Sequence, residues 1–233
     1  MLVGMVPAWL CRCENFPLVT RALQADTGGD RGHMRQNRVD PFGVLHAVPQ
    51  RGAWFGNKGC LHDVAGRIVR GHQVKRWITC VCAFRGRRRE LLQPGRYTEL
   101  FFHDEATAYA AGHRPCAECR YAEWRQFSEL WAQLFGAAKA DALDKVLHAA
   151  RLDGAARRLR RVEAGEVPDG AMIVRAGAPV LRTRGAWWAW SFEGYTQTDP
   201  PVSGAVDLLT PWPLVQMMHA GLPVQIGGLV GVK

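Results

Sequence analysis

The sequence predicts an α+β fold, and three observations carry that prediction. Strand-type runs occupy the stretch from Arg38 to Phe102, helical periodicities follow from Asp104 to Arg151, and strand-type runs return beyond Pro168. Strands, then helices, then strands is not the regular alternation that builds a doubly wound sheet. The chain has 233 residues, 48% hydrophobic and 22% charged, enough to bury a sizeable core. No repeat with a period of 20–50 residues is present, which removes solenoids and propellers.

The elements read in order as follows. Val44–Val48 is a short β-type run punctuated by Gly43, Pro49 and Gly52. Trp54-Phe55 leads into the turn sequence Gly56-Asn-Lys-Gly59, and Arg67–Arg70 is another short run. Trp77–Phe84 is the strongest strand signal in the chain, and Tyr97–Phe102 is a further strand after the Pro94-Gly95 turn. Asp104 then suits a helix N-cap, Glu105 adds negative charge to the first turn, and Gly112 closes an alanine-rich helix. Trp124, Phe127, Leu130, Trp131, Leu134 and Phe135 recur at three- and four-residue spacing, an amphipathic helix, and residues 137–151 make another. Ala171–Arg175, Pro179–Leu181 and Gly185–Trp190 are the returning strands. Thr210 as cap and Pro211 at the first helical position start a last helix over Val215–Ala220, which Gly221 stops.

Three segments follow from this. Residues 1–33 lack periodicity and read as a loosely ordered arm or a start placed too far upstream. Residues 34–135 form a β-rich segment, and residues 136–233 a helical connector with a β-rich C-terminal part. No apolar run approaches the ~20 residues that span a bilayer. The apolar start lacks a basic n-region and a cleavage site, so a cytoplasmic location is expected. The 30 Lys and Arg against 21 Asp and Glu give a formal charge of +9, which favours a polyanionic partner, nucleic acid first. A Gly-rich phosphate loop, a G-x-S-x-G elbow and an H-E-x-x-H helix are all absent, removing the commonest nucleotide-binding and hydrolase readings.

Seven cysteines, an odd number scattered over a long chain, are not a disulfide framework. Cys116 and Cys119 form a C-x-x-C, and Cys80 and Cys82 a C-x-C. In a reducing compartment such pairs read as metal ligands or redox thiols. A C-x-x-C turn lets two thiolates face one ion while nearby backbone amides stabilise the sulfur charge.

Residues 101–120 read FFHDEATAYAAGHRPCAECR: an aromatic pair, a short alanine-rich helix, then Gly-x-Arg-Pro-Cys-x-x-Cys. This resembles the zinc-binding domain of the Ada family, which repairs methylphosphotriesters in DNA. The resemblance spans residues 77–120 and implies a small zinc-knuckle module embedded in the mixed domain. It implies zinc-ligating roles for Cys116 and Cys119, and makes Cys80, in Trp77-Ile-Thr-Cys80-Val-Cys82, the match for the methyl-accepting ligand. The chain departs from the family pattern in having C-x-C where the family has C-x-x-x-C, and in extra residues around 85–94.

The expected metal set is Cys80, Cys82, Cys116 and Cys119. Residues i and i+2 of a strand lie about 7 Å apart, so Cys82 reaches the same ion only if the strand bends. Cys60, His62, His103 and His113 compete with it for the fourth position. Arg85, Arg87, Arg88 and Arg89, with Arg114 and Arg120 flanking the knuckle, are the candidate phosphate contacts. Trp187, Trp188 and Trp190 read as core before they read as a stacking platform. Asn37–Asp40 is either a site or a capped turn, and nothing indicates that Asp63 and Glu99 gather around a hard cation. The functional expectation is a zinc- and DNA-binding protein, with methyl transfer to a zinc-bound cysteine as its strong form. The alternative is an enzyme of unrecognised type in which zinc only holds the fold.

Overall fold

The computed structural model describes residues 34–86, 90–201 and 204–230. In chain order the elements are β1 (Arg38–Val39), β2 (Leu45–His46), β3 (Trp54–Asn57), β4 (Ile78–Val81), β5 (Leu100–Phe102), α1 (Glu105–Ala110) and β6 (Arg114–Pro115). There follow α2 (Tyr121–Phe135), α3 (Ala140–Arg151), β7 (Leu152–Asp153), β8 (Ala156–Arg157) and β9 (Arg160–Glu163). The C-terminal elements are β10 (Met172–Arg175), β11 (Ala178–Thr183), β12 (Ala186–Ser191), β13 (Gly194–Thr198), β14 (Ala205–Leu208), α4 (Trp212–His219) and β15 (Leu229–Val230). The α+β expectation holds.

Two sheets carry the structure. The first has the order β2-β1-β5-β3-β4-β6, and the second β15-β13-β12-β11-β10-β14-β9. β10 to β13 form an antiparallel meander, with Leu181 opposite Trp188 and Trp190 opposite Tyr195. In the first sheet the pairings β1–β5 and β4–β6 are parallel and the rest antiparallel.

Helix α1 lies between the sheets, which explains its composition. Ala108 and Ala111 pack with Val39, Leu45, Leu61, Leu100 and Phe102 of the first sheet's core. Ala106 and Ala110 pack with Met172, Leu181, Trp188 and Tyr195 of the second. Alanine permits close approach on both faces while retaining the best helix propensity. Every residue of α1 is buried, so its orphan end groups cannot reach water and need protein partners. Asp104 caps the start, accepting from the Thr107 amide at 2.8 Å and from the Tyr195 hydroxyl at 2.8 Å. At the other end Arg157 donates to the carbonyl of Ala110, and Arg151 to that of Gly112. Gly112 has φ +86°, and a Cβ there would lie 2.6 Å from Arg151 Cδ, so glycine is required twice over.

Apolar packing also runs across the 34–135 and 136–233 segments. One apolar cluster joins Tyr109, Phe127 and Trp131 to Leu143, Leu147, Val180, Trp187 and Leu214. A single mixed domain results. Trp187 and Trp188 are buried on opposite faces of β12, and Trp190 donates to Thr107 Oγ1, as the core reading expected.

Several local expectations are corrected. The 77–84 strand is reduced to Ile78–Val81, because the chain bends at Cys82 and turns through Arg85 and Gly86, both at positive φ. Arg67–Arg70 forms no strand, only a bridge between Ile68 and His62. The last helix starts at Trp212, and Thr210 does not cap it: its hydroxyl accepts from the Met172 amide, tying the helix to β10. Strands β9, β13 and β14 carry no strong apolar alternation and owe their pairing to neighbours. Residues 1–33 lie outside the described set. Among the described residues no helix is long and apolar enough to cross a membrane.

Candidate metal centre

Backbone pairing holds the C-x-x-C turn beside β4. β6 runs parallel to β4, with Ile78 opposite Arg114 and Thr79 opposite Pro115, and the Cys116 amide donates to the Thr79 carbonyl at 2.9 Å. Proline at 115 suits this edge position, where its missing N–H leaves no ladder bond unmade. The turn then closes as Arg120 N donates to the Cys116 carbonyl and α2 begins. Cys80, on the inner face of β4, meets the turn from below.

The sulfurs of Cys80, Cys116 and Cys119 all lie within 4.8 Å of one another. Thiolates around a tetrahedral ion with bonds of ~2.3 Å sit about 3.8 Å apart, so the group needs only a small contraction. An all-sulfur set suits a borderline-soft ion and is wrong for calcium or magnesium. Three close cysteines that could hold a metal ion are therefore present. Phe55, Ile78, Tyr97 and Phe101 pack around them, with Phe55 edge-on to Tyr97 and Phe101 at 6.1 and 5.9 Å.

The electrostatics single out Cys116. Hydrogen bonds from the Cys119 and Cys80 thiols hold its own thiol far below the usual range, with the Cys119 and Glu118 amides adding to the effect. Cys80 is pushed the opposite way by those same sulfur hydrogen bonds and by burial. Cys119 is also raised, chiefly by its bond to Cys116. A cation bound by these three sulfurs would displace their protons.

Cys82 does not join the group. It is exposed, on the far side of the bend, with its sulfur 3.3 Å from the Ala53 carbonyl. The period-two rule that put residues 80 and 82 on one face stops applying where the strand ends. None of its competitors joins either. His62 is engaged by Thr98 Oγ1 at 2.7 Å, the Cys60 sulfur lies 3.5 Å from the His62 carbonyl, and His103 faces the Gly227 carbonyl. His113 is fully buried between Phe102 and Trp77, at ring distances of 4.6 and 5.3 Å. Cys80 itself is only 6% exposed, whereas Cys119 is half-buried, so Cys119 is the sulfur a bulky substrate would meet first.

The flanking arginines are a second correction. Arg114 and Arg120, expected on a phosphate-binding surface, are each 2% exposed. Arg114 forms a two-pronged pair with Asp144 at 2.8 and 2.7 Å while lying over the Trp124 ring. Arg120 joins Glu105 of α1 and Thr79 of β4, stacked 4.1 Å over Trp54. A planar guanidinium with five donors can bind two elements at once, and here it ties the knuckle to the fold. Sequence reasoning missed this role, although the two acids that select it, Glu105 and Asp144, both lie on readable helices. Arg85 is exposed, over the Phe84 ring, whereas Arg87, Arg88 and Arg89 lie outside the described residues.

The remaining polar candidates are absorbed locally. Asp40 caps its own turn through the Val44 amide and pairs with His46 at 2.8 Å, which makes 37–40 a capped turn. Asp63 accepts from Ala65 and Arg67 of its own turn, and Glu99 from the Leu92 amide. The two acids do not converge with a third ligand group among the described residues. No protein-family model, no curated protein and no solved structure matches this chain.

Proposed function

We propose that this protein is a zinc-binding, nucleic-acid-binding protein in which Cys80, Cys116 and Cys119 hold the metal. The observation that carries the reading is the convergence of three sulfurs from β4 and the C-x-x-C turn within 4.8 Å. Zinc suits an all-thiolate donor set, and when bound it would cross-link β4 to the start of α2. Nucleic acid is the partner favoured by a formal charge of +9 and by the exposed Arg85 and Arg96 near the centre in sequence. Arg114 and Arg120 are buried and take no part in such a surface.

The test is native mass spectrometry of the whole chain before and after incubation with duplex DNA carrying methylphosphotriesters. One zinc per chain and a DNA complex that weakens with salt are expected. A metal-free protein would overturn the zinc assignment, and a zinc-loaded protein without DNA affinity would overturn the partner. A methyl adduct on a cysteine of the centre would extend the reading to repair. Its expected position is Cys119, the accessible sulfur, in place of the buried Cys80.

A further inference from the structure

Away from the cysteines, a shallow, solvent-open cleft lies where the β2–β3 loop meets the β12–β13 turn. Arg38, Arg51, Phe101, His103 and Phe192 line it. Gln50 bridges its rim by donating to Glu193 at 2.8 Å, which leaves that carboxylate bound to Gln50 and to neither arginine. No ion pair is found for Arg38 or Arg51 among the described residues. Arg38 is fixed in place: its Nε donates to the Gln50 carbonyl, one terminal nitrogen donates to Asn37, and its guanidinium lies 4.8 Å over the Phe101 ring. Its second terminal nitrogen meets no acceptor among the described residues. The loop bearing Arg51 is pressed against β5 so closely that a Cβ on Gly52 would sit 2.5 Å from the Phe102 carbonyl.

We propose that this cleft is a nucleotide-binding site, with Arg38 and Arg51 holding a phosphate group and Phe192 offering its ring to the attached base. Two like charges kept together without a carboxylate between them are a cost that an anion removes, and burial, with Arg51 adding to it, lowers the proton affinity of Arg38. Guanidinium groups bind phosphate through paired, directional hydrogen bonds, and a phosphate's charge matches two of them better than a single carboxylate does. A phosphate would sit against the arginines at the surface of this open cleft, with the attached base at the mouth, where Phe192 is half-buried. This inference goes beyond the metal reading. It shares only the Phe101 wall with the cysteine centre and can stand or fall independently of zinc.

The experiment is fluorescence anisotropy of the full chain with a labelled single-stranded oligonucleotide, in competition with adenosine monophosphate or inorganic phosphate, with zinc content measured on each sample. Arg51 is exposed, so Arg51→Glu should fold normally, keep its zinc, and weaken binding about tenfold or more. Its log–log salt slope should fall by roughly 0.7 for the lost contact, and Arg51→Lys should retain most of the affinity. Phe192→Ala should weaken binding about fivefold or more if a base stacks there. Tighter binding of the monophosphate than of the strand would assign the site to free nucleotides, and the reverse to nucleic acid; either supports it. Unchanged affinity in Arg51→Glu would overturn the proposal, as would inorganic phosphate competing as well as the monophosphate does. Zinc lost from wild type with these effects intact would strike the metal reading alone.

Discussion

The two sheets of this protein are stabilised by different chemistry. The first sheet, with strands of two to four residues, buries Lys58, His62, Glu99, His113, Arg114 and Arg120, and its sulfur centre sits among them. The second sheet has strands of up to six residues and buries Trp187, Trp188, Ile173, Leu181, Met172 and Tyr195, with few charges. Short strands supply little apolar area each. Their fixed geometry must then come from ion pairs, helix-end contacts and the cysteine turn, each dependent on a particular partner. A long meander draws on burial, which is non-directional and tolerant. The teaching is that one half should fail at single residues and the other in proportion to volume removed.

The largest effect should come from the cysteines. Under the proposed zinc reading, chelation, or Cys116→Ser, should strip amide-exchange protection from β3 to β6 while β10 to β13 keep theirs, since structural zinc contributes on the order of 10 kcal/mol in small domains. Equal loss in both sheets would erase the distinction. Next, Arg120→Met leaves Glu105 buried without its partner and should cost about 3–5 kcal/mol in urea unfolding. Adding Glu105→Gln should recover a large part of that loss, because the penalty lies in the orphaned charge. Trp188→Ala should cost a similar amount through the cavity it leaves, yet no second polar substitution should rescue it.

A smaller effect concerns pH. Burial, with Lys58, Arg151 and Arg157 nearby, holds His113 well below its ordinary imidazole value. The folded state therefore keeps this ring neutral while the unfolded chain protonates it near pH 6.5. Its contribution is fully present above that value and is lost as pH falls below it, by up to about 1.4 kcal/mol per unit. Wild type should lose stability between pH 6.5 and 5, and His113→Leu should flatten that slope; an unchanged slope would place the acid sensitivity elsewhere. The smallest stability effect is expected for Arg85→Ala, within about 0.5 kcal/mol because the side chain is exposed. Under the proposed function it should nevertheless weaken nucleic-acid binding severalfold, measured by anisotropy at low salt.

What was legible in the amino-acid sequence had local causes. The α1 start at Asp104 and stop at Gly112, the amphipathic faces of α2 and α3, the strands around Ile173, Val180 and Trp188, and the pairing of Cys116 with Cys119 each follow from a few consecutive residues. The sulfur of Cys80 stands beside the other two, a neighbour that the C-x-x-C spacing alone does not specify. Tertiary structure alone decided the rest, because it depends on partners distant in the chain. A bend at Cys82 turned an apparent ligand away from the centre. Asp144 and Glu105 drew Arg114 and Arg120 inward, converting surface charge into internal braces. Residue spacing records which side chains can face one another across a turn; it does not record which opposite charge a long, flexible arginine will meet once the sheets close over α1.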